Sequence, residues 1–196
     1  GIDVTPLQGK TSGIPLYISI LLAELVKRRD VEFFLYFSCK RPKWEFLDRN
    51  HVKARALHPL NRKKSIWINL IIPFFLWFDR IDLFWGTHQA IPHWFLLRKV
   101  KTCITAYDIA FELFPETLIK SDLARMKKLF PPSLKRADLI FSISEGTLKK
   151  LAPFLKARNS QPKLAIIPPP IRDCFRKMSS LCEAQETLKQ YSLQKS

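Results

Sequence analysis

The stretch Asp82-Leu83-Phe84-Trp85-Gly86-Thr87-His88 is a short apolar run that breaks abruptly into a polar loop, and the chain repeats that pattern. Lys101–Thr105 runs into Ala106-Tyr107-Asp108, Asp138–Ser142 into Ser144-Glu145, and Leu164–Ile167 into three consecutive prolines. Upstream, residues 1–5, Val31–Ser38 and a weaker run at Val52–Leu57 have the same length and composition. Short apolar and aromatic runs bounded by turn formers read as strands. Between them lie helix-length segments: one starting at Ile14, and others near 64–78, 121–136 and 144–156. In the first, Ile14, Ile18, Leu21, Leu22 and Leu25 share one helical face, and Pro15 is tolerated in the first turn. Lys27, Arg28 and Arg29 are placed to close that helix against its dipole. Strands alternating with helices require right-handed crossovers, so the pattern predicts a doubly wound α/β domain, a parallel sheet with helices on both faces.

A chain of 196 residues, 47% hydrophobic and 26% charged, can bury one substantial core. That core is expected over residues 1–178. Residues 179–196 form a polar, helix-leaning tail that reads as the start of a linker toward a further domain. The balance of 33 Lys and Arg against 17 Asp and Glu gives a net charge of +16. Such a surface attracts nucleic acid, phospholipid or diphosphate-bearing substrates over about a Debye length. Cys39, Cys103, Cys174 and Cys182 show neither C-x-x-C nor zinc spacing and read as reduced thiols. With no basic, apolar and small-residue signal pattern at the start, the expected location is the cytoplasm, any membrane contact being peripheral and on the inner face. The opening Gly1-Ile2-Asp3-Val4 suggests a piece of a longer protein.

In a doubly wound sheet, ligands gather at the carboxyl ends of the strands, which directs attention to the loops near Gly9, Gly86 and Ala106. Gly9-Lys10-Thr11-Ser12-Gly13 leads into a helix, where free N–H groups and the dipole attract anions, although its spacing is neither G-x-G-x-x-G nor a Walker loop. The plain alternative is a strand-to-helix turn. His88 is placed to donate to a sugar hydroxyl or a phosphate, or to be satisfied by backbone. Tyr107 and Asp108, with Glu112 and Glu116 nearby, put carboxylates where one can orient a hydroxyl nucleophile or act as general base. Alternatively, Asp108 caps a turn and Glu112 pairs with a basic residue. Ser142 and Glu145 have capping-box spacing, with Ser144 as a competing N-cap. His51, His58 and His93 lack partners at metal-binding spacing.

The segment Ile66–Phe78 is apolar at every position except Asn69 and Pro73, and Arg62, Lys63 and Lys64 precede it. It is shorter than the roughly 20 residues that span a bilayer. Core packing and an interfacial helix on an anionic leaflet both fit this composition.

With these segments in place, the chain resembles the N-terminal domain of group 1, family 4 retaining glycosyltransferases, especially the bacterial mannosyltransferase-like members that build surface polysaccharide. The phrases that carry the resemblance are Ile2-Asp3-Val4-Thr5-Pro6-Leu7 leading to Ser12-Gly13-Ile14 and Tyr17; Asp82 to His88 followed by Ile91-Pro92; Thr105-Ala106-Tyr107-Asp108 with Phe114-Pro115-Glu116; Ala137-Asp138-Leu139-Ile140 leading to Ser144-Glu145-Gly146-Thr147; and Ile166-Ile167-Pro168-Pro169. Five phrases in the family's order extend from Gly1 to about Ser196.

The resemblance implies one Rossmann-like half of a GT-B enzyme, with the acceptor held by this domain and the nucleotide-sugar held mainly by a second domain outside this chain. It implies a hexosyltransferase acting on a glycan or lipid-linked acceptor, with no metal and no cofactor beyond the nucleotide-sugar substrate, and inactive as this half alone. Carried onto this sequence, Asp108 and Tyr107 take the catalytic positions, and Ser12, Gly13, Ile14, Tyr17, His88, Ser144, Glu145 and Thr147 the substrate-binding ones. Two residues depart from the family pattern. Tyr107 stands where a histidine is usual, and tyrosine is a poor acid or base near neutral pH. Pro15 stands where a second glycine is common, removing an N–H donor. The rival reading is a non-catalytic basic module for anionic lipid or nucleic acid. Against nucleic acid, no reading motif is present, and the aromatics cluster in apolar runs rather than among basic residues.

Overall fold

A computed structural model of the chain describes residues 1–8, 13–38, 45–57, 66–92, 100–156, 161–171 and 189–190. Seven strands form one sheet: β1 (Ile2–Asp3), β2 (Phe33–Phe37), β3 (Val52–Ala56), β4 (Leu83–Gly86), β5 (Lys101–Ala106), β6 (Leu139–Ser142) and β7 (Lys163–Ile166). Their order is β3-β2-β1-β4-β5-β6-β7, and every neighbouring pair is parallel. The doubly wound α/β expectation holds. Strand order reverses between β1 and β4, and a crevice for ligands is expected outside the carboxyl ends at that switch.

The strands alternate their side chains between two cores. On one face Ile2, Leu35, Phe37, Trp85 and Cys103 meet helix α1 (Ile14–Leu25) through Tyr17, Ile18 and Leu22. On the other, Phe34, Tyr36, Phe84, Ile104 and Ile140 are covered by three helical elements. These are a π-helical turn (Trp67–Ile71) continuing into α2 (Ile72–Phe78), α4 (Lys120–Arg136) and α5 (Glu145–Leu155); a single turn, α3 (Ala110–Leu113), precedes α4.

Several local features differ from the sequence reading. The first strand is only Ile2–Asp3, because Asp3 turns the chain: its Oδ1 accepts from Thr5 N and Thr5 Oγ1, and Thr5–Gln8 continues as a 3-10 turn. Helix α1 stops at Leu25, so the three basic residues lie beyond its last turn. Lys27 instead pairs with Glu24, and Arg28 with Asp30. The helix expected from about residue 64 includes a π turn, in which Ile72 N bonds Trp67 O. Pro73 offers no N–H to a carbonyl one turn back, and a widened turn just ahead accommodates its ring. Helix α4 carries Pro131 and Pro132 in its interior, and there the Ser133 hydroxyl donates to Leu129 O at 2.6 Å.

Candidate functional site

The carboxyl rim is held together by buried and part-buried hydrogen bonds that link strand ends. At the switch point, Thr87 Oγ1 donates to Asp3 O at 2.5 Å, tying the exit of β4 to that of β1. Tyr107, just past β5, donates its hydroxyl to Thr87 O at 3.0 Å. Thr147, in the first turn of α5, donates to Tyr107 O at 3.3 Å, and Gln89 Nε2 donates to Asp108 O at 3.2 Å. From α1, Tyr17 meets the Tyr107 ring edge-on at 5.5 Å and donates to Ile167 O beyond β7 at 3.0 Å. The first turn of α1 is thereby fixed across the β5–β7 end of the rim.

Beneath the rim, Asp3 is 4% exposed and also accepts from Trp67 Nε1 at 3.3 Å. Burial raises its pKa above the ordinary carboxylate value, the bonds from Thr5 and Trp67 opposing that shift. Trp85 Nε1 donates to Thr105 Oγ1 at 2.9 Å within the opposite core. The turn leaving β4 is tight: a Cβ on Gly86 would lie 2.1 Å from Ala90 O, and Gln89 has φ +57°. Ile91 N then donates to Ser133 Oγ at 3.0 Å, fastening the turn to α4.

The sequence-derived candidates divide into anchors and presented groups. Tyr107 and Tyr17 are buried, and both hydroxyls are committed to backbone carbonyls. Burial pushes the Tyr17 hydroxyl up to about 12, and that of Tyr107 strongly upward, so neither exchanges protons near neutral pH. Their positions are those of struts under the rim. Gly13, Asp108, Ser144 and Glu145 are exposed, while Ile14, His88 and Thr147 are half-buried. Asp108 Oδ1 accepts from Ala110 N at 3.0 Å, the turn-capping alternative. A carboxylate offers about four acceptor sites, so capacity for a ligand hydroxyl remains. Ser144 is the N-cap of α5, accepting from Thr147 N at 3.1 Å, while Ser142 Oγ donates to Ser144 O at 2.8 Å. Gly13 caps α1 with φ +62° and ψ −125°, and no side chain caps the helix there. A Cβ at Gly13 would meet no atom within 4 Å, so the conformation, not crowding, asks for glycine. Ser12 lies outside the described residues, as do His58, His93, Cys39, Cys174 and Cys182. His51 is hydrogen-bonded to Val26 O at 2.9 Å beneath α1, away from the rim.

Sequence reasoning missed Asp3, Thr87, Gln89, Thr105 and Ser133 as organisers of this rim. Small polar residues in or beside apolar strands were the available signal, because a buried hydroxyl or carboxylate needs a partner. At the opposite, amino edge of the sheet lies a cavity of about 560 Å³ lined by Leu25, Phe33, Ile81, Cys103 and Leu139 among others. Cys103 is a buried, unbridged thiol whose pKa burial pushes upward. We place the functional site at the carboxyl rim, because the switch point and the presented polar groups coincide there. Among the described residues no group of His, Cys, Asp and Glu is arranged to hold a metal ion, and no helix is long and apolar enough to cross a membrane. The sequence matches no protein-family model and no curated protein.

Proposed function

We propose that this chain is the acceptor-side half of a retaining glycosyltransferase that moves a hexose, mannose being one candidate, from a nucleotide-sugar to a lipid-linked or growing surface glycan. The observation that supports this reading is the rim itself. Gly13, His88 and Asp108 stand on loops leaving β1, β4 and β5 of one parallel sheet, joined by the Asp3–Thr87–Tyr107 chain of hydrogen bonds. An exposed carboxylate on a turn fixed by Ala110 N suits the orientation of an acceptor hydroxyl. His88 supplies a neighbouring polar group, and Gly13 opens α1 without a side chain over its first N–H groups. The donor's diphosphate would be held mainly by a second domain, so this half alone is inactive.

Two measurements test the proposal. The complete polypeptide carrying this chain should turn over one member of a panel of nucleotide-sugars, and Asp108→Asn should lower kcat by about 10²-fold or more, the usual contribution of a positioned base. Turnover unaffected by Asp108→Asn would remove that carboxylate from the site. The 196-residue chain should bind UDP and GDP only weakly; micromolar affinity by calorimetry would contradict the division between the two halves.

A further inference from the structure

The segment that the sequence left divided between core and membrane has two apolar faces. Trp67, Ile68, Ile72 and Leu76 are buried against the sheet. The side chains pointing the other way are apolar too: Ile66 is 40% exposed, Leu70 67%, Phe74 56%, Trp77 53% and Phe78 57%. These positions follow one another at three- and four-residue steps, so they form a single stripe along the outside of the π turn and α2. The aromatic members are already assembled. Phe74 stacks on Phe78 at 6.1 Å and meets Trp77 at 6.4 Å. A contiguous exposed apolar patch of this kind marks an interaction surface.

Basic side chains lie beside it. On β3, Arg55 lies 5.6 Å from the Phe78 ring, and Arg80 is exposed just after the helix. Arg62, Lys63 and Lys64 precede the segment in the sequence. Asp79, which directly follows Phe78, has a buried side chain paired with Arg55, so that pair adds no net charge beside the stripe. We infer that this stripe docks the protein on an anionic phospholipid bilayer. Trp and Phe are side chains that settle at the bilayer interface, and a chain of net charge +16 is drawn to anionic headgroups. From Trp67 to Phe78 the element is roughly 18 Å long at 1.5 Å per residue, so it lies along the interface instead of spanning the hydrocarbon. A second copy fits less well, because two chains of +16 repel each other. The inference is independent of any sugar transfer.

Vesicle co-sedimentation of the 196-residue chain tests it directly. The chain should sediment with phosphatidylcholine vesicles containing phosphatidylglycerol, far less with pure phosphatidylcholine, and less in high salt. Phe74→Ser combined with Trp77→Ser should weaken anionic-vesicle partitioning by about tenfold or more, while circular dichroism and melting stay as in the parent, since both side chains are mostly exposed. Trp77→Glu, which sets a negative charge against the leaflet, should do the same and covers the case in which the double variant misfolds. No sedimentation of the parent with anionic vesicles would overturn the inference. So would partitioning unchanged in both variants, which would reduce the effect to charge alone, or concentration-dependent dimerisation abolished by them, which would assign the stripe to a second copy.

Discussion

Gly86→Ala places one methyl group at the tightest point of the rim. A Cβ at this position would lie 2.1 Å from Ala90 O and 3.0 Å from Ala90 C, and real Cβ atoms do not approach other heavy atoms closer than 3.0 Å. Relief therefore requires a displacement on the order of 1 Å between the end of β4 and the turn, which is backbone on both sides. Overpacking of this kind costs about 1–3 kcal/mol. The displaced turn also carries the Thr87 Oγ1 bond to Asp3 O and accepts the Tyr107 hydroxyl at Thr87 O, so about one buried hydrogen bond, worth ~1 kcal/mol, is expected to be lost as well. A total near 3 kcal/mol corresponds to a fall in Tm of roughly 6–12 °C for a domain of this size. Differential scanning calorimetry of the chain, with Thr87→Val as a comparison that removes only the hydroxyl bond and costs about 1 kcal/mol, separates crowding from hydrogen bonding. If Gly86→Ala melts within about 2 °C of the parent, the turn is not built as described and the reasoning fails.

Asp3 provides a pH test. Its folded pKa lies above the ordinary 3.8, so the folded chain holds that proton more tightly than the unfolded chain, and this contribution to stability falls as pH rises from 3.8 through the folded value. Asp3→Asn, which keeps an accepting oxygen for Thr5 and Trp67, should gain on the parent in urea denaturation as pH rises; a gap constant with pH would contradict the assignment. Arg55→Met leaves the Asp79 carboxylate, 1% exposed, without its counter-charge. A loss of about 2 kcal/mol is expected, between exposed and buried pairs because Arg55 itself is 37% exposed, and a loss under 0.5 kcal/mol by the same titration would show the pair to be incidental. Ser133→Ala orphans the buried Ile91 N–H and should cost about 1–3 kcal/mol, with faster amide exchange at Ile91 as the local readout. Tyr107→Phe should lower Tm by a few degrees through loss of the Thr87 bond, yet, if the proposed sugar transfer is measured, leave kcat within about threefold, because its hydroxyl is turned inward; a hundredfold loss would return it to the chemistry.

The central strands were legible because they are buried on both faces and read as continuous apolar runs, as in Phe33-Phe34-Leu35-Tyr36-Phe37, whereas the edge strands β3 and β7 are more exposed and mixed in composition. Helix α5 was legible through its cap, although the choice between Ser142 and Ser144 depended on which hydroxyl reached Thr147 N, a geometric matter that spacing cannot decide. Ile66–Phe78 was ambiguous for a different reason. Hydrophobicity reports how much apolar surface a segment carries and not which side meets the sheet, and this segment has apolar residues on both sides. The basic residues expected to close α1 do follow its C-cap, Val26, but Lys27 and Arg28 also have acidic partners of their own, Glu24 and Asp30.

Tyr107 shows why a motif position and a chemical role are separate matters. Its place in Thr105-Ala106-Tyr107-Asp108 pointed to chemistry, and it does stand at the rim, beside the exposed carboxylate. Yet the backbone there alternates sides as a strand does, so Tyr107 turns down into the α1 core beside Tyr17 while Asp108 turns out. The large ring is needed where it is. Histidine at this position would leave much of the volume between α1 and β5 unfilled, whereas the tyrosine fills it and reaches Thr87 O, coupling the loops after β4 and β5. Such buried struts fix the geometry from which the presented groups act, because a side chain in solvent is held no better than the backbone beneath it. On the proposed transferase reading, Asp108 is the position at which to seek a direct effect on turnover, and Tyr107, Thr87 and Gly86 are those at which to seek effects transmitted through the rim.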